Sequence, residues 1–135
     1  MDEKLQSELI EQAVRARKSA YAPYSKYQVG ASLLTQSGKI YSGCNVENAS
    51  YGLCLCAERT TIVKAVSEGE TEFEAIVVAI DGEGTPCGAC RQFMAEFCDN
   101  TTLVFVYDVG NEESTKYTLG ELLPNAFRLQ LPCDG

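Results

Sequence analysis

Residues 56–80 read CAERTTIVKAVSEGETEFEAIVVAI, a helical pattern that leads directly into a buried strand. Apolar residues recur at helical spacing between positions 56 and 68, and Gly69 suits the C-terminal cap of that helix. Residues 75–80 form a continuous apolar run that ends at Asp81-Gly82, which is typical of a strand buried on both faces. Helix followed by buried strand is the repeating unit of α/β folds.

The flanking sequence extends this unit on both sides. An N-terminal helical pattern carries Leu9, Ala13, Ala16 and Ala20 and stops at Pro23. Strands are predicted at 29–35, 40–46, 75–80, 103–107 and 116–118, and a further helix at 88–98. Thr118 and Glu121 match a capping box before a short last helix. We therefore expect one domain, residues 1–135, built as a three-layer α/β/α sandwich around a mixed five-stranded sheet.

Composition narrows the classes of function. The net charge is -8, which argues against nucleic acid as a partner because phosphate contacts need Lys and Arg. No apolar run approaches the roughly 20 residues that span a bilayer, and the N-terminus does not resemble a secretion signal. These features favour a cytoplasmic protein that acts on a neutral small molecule, without a membrane partner. The chain has no histidine, so proton transfer must fall to another side chain or to metal-bound water.

Cysteines are numerous and clustered, which favours a metal site over disulfides. The chain has seven: Cys44, Cys54, Cys56, Cys87, Cys90, Cys98 and Cys133. Cys56 lies at the predicted start of one helix, and the Cys87–Cys90 pair, a CxxC, lies at the start of another. If the two helix N-termini meet, three thiolates surround one zinc ion, and the helix dipoles help to keep them deprotonated.

A zinc ion with three protein ligands keeps its fourth tetrahedral position open for water, which is the mark of a catalytic site. Glu58 lies in the first turn of the same helix as Cys56, where its carboxylate could exchange a proton with that water. The alternative is a closed structural site in which Cys54 is the fourth ligand and Glu58 only complements the helix dipole. Arg59 is either a solvated helix residue or a hydrogen-bond donor to a ligand sulfur.

Five blocks of sequence together resemble the small, homotetrameric class of zinc-dependent cytidine deaminases. They are Tyr21-Ala22-Pro23-Tyr24-Ser25, residues 43–51 (GCNVENASY), Cys56-Ala57-Glu58-Arg59-Thr60, residues 86–92 (PCGACRQ) and Leu122-Leu123-Pro124. The resemblance runs from about residue 5 to about residue 127, which is nearly the whole chain.

The resemblance implies a role for each matched position. Cys56, Cys87 and Cys90 would bind one zinc per subunit, Glu58 would shuttle protons, and Arg59 would bond to ligand sulfurs. Ala57 and Glu58 would contact the pyrimidine, Asn45 and Glu47 the ribose 3'-hydroxyl, Tyr27 the base, and Phe127 the pocket of a neighbouring subunit. The implied reaction of pyrimidine salvage is attack of zinc-bound hydroxide on C4 of cytidine or deoxycytidine, which yields the uracil nucleoside and ammonia.

Three positions depart from the family pattern: Tyr27 replaces a Phe, Asn125 replaces a Gly, and the loop at 81–85 looks shorter. A deaminase of the blasticidin type shares the zinc motifs, but the block around Asn45 and Glu47 suits a ribose. A nucleotide deaminase would need cations for the phosphate, which no motif supplies. A non-enzymatic module stabilised by a four-cysteine zinc site is the alternative outside enzymes.

Overall fold

A computed structural model describes residues 1–129 of the chain. The helices are α1 (Glu3–Arg17), α2 (Ala57–Ser67), α3 (Gly88–Phe97) and α4 (Leu119–Leu122), with one 3-10 turn at Tyr51–Leu53. The strands are β1 (Gly30–Thr35), β2 (Ile40–Cys44), β3 (Phe73–Ile80), β4 (Leu103–Asp108) and β5 (Glu113–Thr118). Within the described range, each helix is too short or too polar to cross a lipid bilayer.

The five strands form one mixed sheet in the order β2-β1-β3-β4-β5. β3 and β4 are parallel and connected through α3, whereas the other neighbouring strands are antiparallel. Ile76 and Val78 on β3 face a core cluster shared with α2 and α3, and Ala75 and Val77 face a second cluster shared with α1. The sheet therefore lies between helices on both faces, which confirms the predicted three-layer α/β/α sandwich.

The apolar spacing in α1 explains how this helix packs on one face of the sheet. Leu9 and Ala13 are fully buried one turn apart and pack on the sheet. The approach is close at Gly30, where a side chain would collide with the carbonyl oxygen of Ala13 and with Arg17. Only glycine allows α1 to lie directly on β1 at this point.

The predicted elements exist, and their bounds shift by a few residues. α1 ends at Arg17 rather than reaching Ala20, because Lys18 already caps it. Val46 lies beyond the end of β2, in isolated bridges to Tyr21 and Leu55. β5 starts at Glu113, three residues earlier than predicted, because its first four residues are exposed and polar and give no apolar signal. The capping box of α4 forms as predicted, with Thr118 and Glu121 bonded reciprocally.

Candidate metal centre and active site

The N-termini of α2 and α3 meet at three cysteines. Cys56 is the N-cap of α2, and Cys87 is the N-cap of α3, where its sulfur accepts a hydrogen bond from the backbone N–H of Cys90. The sulfurs of Cys56, Cys87 and Cys90 all lie within 4.8 Å of one another. We call these three residues the thiol cluster. Helix N-termini favour negative charge, so this position suits thiolates.

The thiol cluster has the chemistry of a zinc site. Tetrahedral zinc bound about 2.3 Å from each sulfur holds its sulfurs about 3.8 Å apart, a separation that sulfurs lying within 4.8 Å of one another can adopt. A hydrogen bond from Cys90, together with the Arg59 guanidinium, lowers the pKa of Cys56 to about 5. The pKa of Cys90 rises, because its thiol bonds to Cys56 and is buried. Cys56 therefore ionises readily, whereas Cys90 resists ionisation. Two neighbouring thiolates would repel each other, and a bound divalent cation would offset that repulsion.

Cys54 does not join the thiol cluster in the described part of the chain. Its sulfur instead accepts a hydrogen bond from the Asn48 N–H at 3.2 Å and donates to the Asn48 carbonyl at 3.5 Å. This arrangement favours three ligands over the closed four-cysteine site. Cys98 is buried at the other end of α3, where burial raises its pKa to about 12, and Cys133 lies outside the described residues.

Glu58 is a buried carboxyl beside the thiol cluster. It lies in the first turn of α2 and is only 4% exposed. Burial, and to a lesser degree the charge on Cys56, raise the pKa of the Glu58 carboxyl above its ordinary value. A carboxyl with a raised pKa holds a proton more firmly than a solvated carboxyl does, which suits a group that must both accept and return a proton.

Arg59 lies against the thiol cluster rather than in solvent. Its Nη2 donates to the carbonyl oxygen of Cys54 at 3.1 Å and to the sulfur of Cys56 at 3.7 Å. Its Nε is buried and has no hydrogen-bond partner within the described residues. The guanidinium therefore places positive charge at a sulfur that is negatively charged when ionised, as expected for a donor to a metal-ligand thiolate.

A cavity of about 510 Å³ opens beside Glu58, a size that fits a nucleoside-sized ligand. Most of the residues that the sequence predicted for the site line it: Tyr27, Asn45, Glu47, Cys56, Ala57, Glu58, Arg59 and Cys87. Val78, Ile80 and Val106 from the sheet add apolar wall, and residues 83–86 also line the cavity. Arg59 is the one Lys or Arg among these lining residues, all of which lie in the described part of the chain.

Asn45 and Glu47 line the cavity and also hold the loop at residues 24–29. The Asn45 amide accepts from the Val29 N–H at 2.9 Å and donates to the Tyr27 carbonyl at 2.8 Å. The Glu47 carboxylate accepts hydrogen bonds from Tyr24 and Ser25, which lower its pKa, the Ser25 hydroxyl contributing most. The sequence did not predict this second task, although Tyr24 and Ser25 stand in one of the quoted blocks.

Tyr27 and Phe127 occupy different surroundings. The Tyr27 hydroxyl donates to the carbonyl oxygen of Asp81 at 3.0 Å, so the extra hydroxyl noted in the sequence has a partner. Phe127 does not line the cavity of its own chain. Its side chain is 69% exposed, and its carbonyl oxygen accepts a hydrogen bond from the Gln92 side chain.

Fold and site together define a class of zinc-dependent hydrolytic enzyme, with three thiols, a buried carboxyl and a cavity at two helix N-termini. The family model for the "Cytidine and deoxycytidylate deaminase zinc-binding region" matches residues 3–106. The chain belongs to this cytidine and deoxycytidylate deaminase family, and zinc is its cofactor.

Individual relatives match this chain in sequence over most of their length. The chain is 50% identical to a cytidine deaminase of Sporosarcina psychrophila, with 88% of each chain covered. It is 50% identical to a cytidine deaminase of Halalkalibacterium halodurans, with 88% of this chain and 91% of the relative covered. Among solved structures, a cytidine deaminase from Burkholderia pseudomallei superposes with a TM-score of 0.86 at 46% identity, covering 94% of this chain and 100% of that one.

Proposed function

We propose that this protein hydrolyses the 4-amino group of cytidine and deoxycytidine, giving uridine or deoxyuridine and ammonia. The observation that carries the proposal is Glu58, a buried carboxyl with a raised pKa that lines the cavity beside the thiol cluster. Family membership and relatives named cytidine deaminases of similar length support the same reaction. The activity requires only water as co-substrate.

Cys56, Cys87 and Cys90 would hold one zinc ion per chain. Bound zinc supplies Lewis acidity, which lowers the pKa of a water molecule to about 7. Arg59 offsets part of the negative charge of three thiolates through its hydrogen bond to Cys56. Cys54, which is bonded to Asn48, would not be among the zinc ligands.

Glu58 would carry the protons of the reaction. Its carboxylate accepts a proton from the attacking water and delivers it to N3 of the cytosine ring, which makes C4 more electrophilic. The water oxygen bonds to C4, and Glu58 passes the proton of the resulting C4 hydroxyl to the amine. The C4–N4 bond then breaks, ammonia leaves, and the oxygen on C4 becomes the carbonyl of uridine. Burial of Glu58 is essential to this role, because a solvated carboxylate with an ordinary pKa would hold the proton too weakly.

The remaining lining residues would position the nucleoside. The Ala57 backbone contacts the pyrimidine edge and the Tyr27 ring packs on the base. Asn45 and Glu47 still have free hydrogen-bonding capacity after holding the loop at 24–29, because a carboxylate offers about four lone-pair sites and the amide nitrogen carries two hydrogens. They can therefore also bond to the ribose 3'-hydroxyl. The shortage of cations along the cavity favours a nucleoside over a nucleotide.

Several broader properties complete the proposal. We infer a single domain over residues 1–135, a cytoplasmic location and a part in pyrimidine salvage. Because Phe127 is exposed on its own chain, we infer a homotetramer in which Phe127 closes the cavity of a neighbour. The net charge of -8 and the shortage of cations along the cavity argue against nucleic acid as a substrate.

The proposal is tested by assaying uridine formation from cytidine while the zinc content of the same preparation is measured. Deoxycytidine, deoxycytidylate and blasticidin S serve as comparison substrates in parallel reactions. We expect turnover of both nucleosides, with about one zinc per chain and little turnover of the other two compounds. A zinc-loaded protein that turns over neither nucleoside would contradict the proposed function.

A further inference from the structure

Arg91 joins the loop before α3 to the C-terminal part of the chain. Its Nε donates to the carbonyl oxygen of Pro86 at 2.7 Å, and its Nη2 donates to the Thr85 hydroxyl at 2.6 Å. Its Nη1 donates to the carbonyl oxygen of Leu122, at the end of α4, also at 2.6 Å. One guanidinium thus uses all three of its nitrogens on acceptors from two separate parts of the chain.

These bonds hold a segment that has little other support. Thr85 and Cys87 are exposed, and only Pro86 between them is buried. Within residues 1–129, Arg91 provides the only hydrogen bonds that reach Thr85 and Pro86. Cys87 follows directly, so the path of the chain through Thr85 and Pro86 fixes the approach to this residue, whose sulfur and carbonyl oxygen are also bonded to the first turn of α3. The same two residues line the cavity.

We propose that Arg91 is a positioning residue that fixes Cys87 in the thiol cluster by clamping Thr85 and Pro86 to the end of α4. It acts on the metal site through the backbone and does not contact the sulfurs itself. Groups that orient metal ligands affect metal affinity strongly, because a ligand that can swing away is replaced more easily. The metal part of this role rests on the proposed function of the thiol cluster in zinc binding.

The planar guanidinium is essential to the clamp. Three acceptors lie around one rigid fork of N–H groups, a geometry that a lysine ammonium on a flexible stem cannot reproduce. Arg91→Lys therefore keeps the charge and removes the geometry. Arg91→Lys disrupts all three hydrogen bonds of the clamp, whereas Thr85→Val removes only the bond to the exposed Thr85 hydroxyl.

Arg128, in the segment after α4, offers a matched control because it bonds to the other end of α3. Its guanidinium also binds three acceptors, the carbonyl oxygens of Ala95 and Cys98 and the side chain of Asn100. These acceptors lie at and beyond the C-terminal end of α3, away from the thiol cluster at its N-terminal end. Arg128→Lys removes a comparable set of hydrogen bonds without touching the loop that carries Cys87.

The experiment measures zinc release from zinc-loaded protein into excess chromophoric chelator, at a temperature where circular dichroism shows every variant folded. We expect Arg91→Lys to release zinc about 10- to 100-fold faster than wild type. Thr85→Val should accelerate release less, and Arg128→Lys should release at the wild-type rate. If Arg91→Lys does not fold, Thr85→Val alone decides, because acceleration supports the clamp and an unchanged rate contradicts it.

Two results would overturn the inference. Folded Arg91→Lys that releases zinc as slowly as wild type would show that the clamp does not position Cys87. Equal acceleration in Arg128→Lys would show that release follows general destabilisation of α3. A wild-type protein that binds no zinc would be a different failure, since it contradicts the proposed function itself and removes this role of Arg91 with it.

Discussion

The Tyr27 hydroxyl lies 3.0 Å from the carbonyl oxygen of Asp81 and donates a hydrogen bond to it. This bond joins two loops that both contribute residues to the cavity wall, one ahead of β1 and one after β3. Asp81 is followed by Gly82, whose N–H donates to the Asp108 carboxylate. The short loop at 81–85 is therefore held at its start by side chains from two directions.

Tyr27→Phe should loosen the mouth of the cavity while leaving the ring in place. A neutral hydrogen bond contributes about 0.5–1.5 kcal/mol, and a residue that is 42% exposed belongs near the lower end. We expect KM for cytidine to rise about two- to threefold, since 1.4 kcal/mol corresponds to a factor of ten, while kcat stays near wild type. Tyr41→Phe, outside the cavity lining, is the control. A fall in kcat with unchanged KM would contradict this assignment.

Glu47→Gln should weaken both nucleoside binding and the loop at 24–29. The pKa of the Glu47 carboxyl is lowered below its ordinary value of 4.5, mainly by the Ser25 hydroxyl. A depressed pKa in the folded state stabilises the fold above the unfolded pKa and loses that contribution as pH falls through the folded pKa. The Tm difference between wild type and Glu47→Gln should therefore be full at neutral pH and shrink below about pH 4.5.

Nucleoside binding by the same variant is measured separately. At neutral pH, Glu47→Gln should raise KM for cytidine while zinc content stays at the wild-type level, because Glu47 is not part of the thiol cluster. Scanning calorimetry at several pH values follows the stability difference. A Tm difference that grows as the pH drops below 4 would have the wrong sign and would exclude the hydrogen-bonded carboxylate.

Two buried cysteines at opposite ends of α3 should differ in their effect on zinc. Cys90 belongs to the thiol cluster, whereas Cys98 is buried away from it. Cys90→Ala should therefore lose zinc and deamination together, and Cys98→Ala should keep both at the cost of some stability. Zinc analysis beside thermal unfolding distinguishes the two cases. Full zinc content in Cys90→Ala would remove that residue from the ligand set.

The proposed assembly depends on Phe127. We expect light scattering to show a tetramer at assay concentration. Phe127→Ala should raise KM for cytidine while the protein remains a tetramer. Leu129→Ala, at an equally exposed position two residues further on, should leave KM unchanged. An active monomer, or a Phe127→Ala variant with wild-type KM, would show that the cavity needs no neighbour.

The sequence predicts the layers and the thiol cluster well because both depend on local patterns. Apolar periodicity defines β3 and α2, and the N-cap positions of Cys56 and Cys87 bring their sulfurs to two helix starts. A polar strand such as β5 carries less signal, so its first three residues were missed. The hydrogen bonds by which Asn45 and Glu47 hold the loop at 24–29 could not be predicted. Their partners lie 16 to 23 residues away in sequence, on a loop without regular structure.

The hydrogen bonds of Arg91 were even harder to predict from the sequence. Its acceptors lie five, six and 31 residues away in sequence, on a loop and at the end of a short helix. No local pattern distinguishes such an arginine from a solvated one on an exposed helix face. Only the packing of α4 against α3 brings Leu122 within reach of its guanidinium.

We propose that zinc binding and proton transfer are separate tasks, the first carried by the thiol cluster and the second by Glu58. Cys54→Ser serves as control, because Cys54 bonds to Asn48 and should leave zinc and activity largely intact. The direct measurement is the rate of uridine formation by zinc-loaded Glu58→Gln, with zinc counted in the same sample. We predict about one zinc per chain and a rate at least about 100- to 10,000-fold below wild type. Wild-type deamination by Glu58→Gln, with zinc lost from Cys54→Ser, would contradict this separation of tasks and favour a four-cysteine structural site.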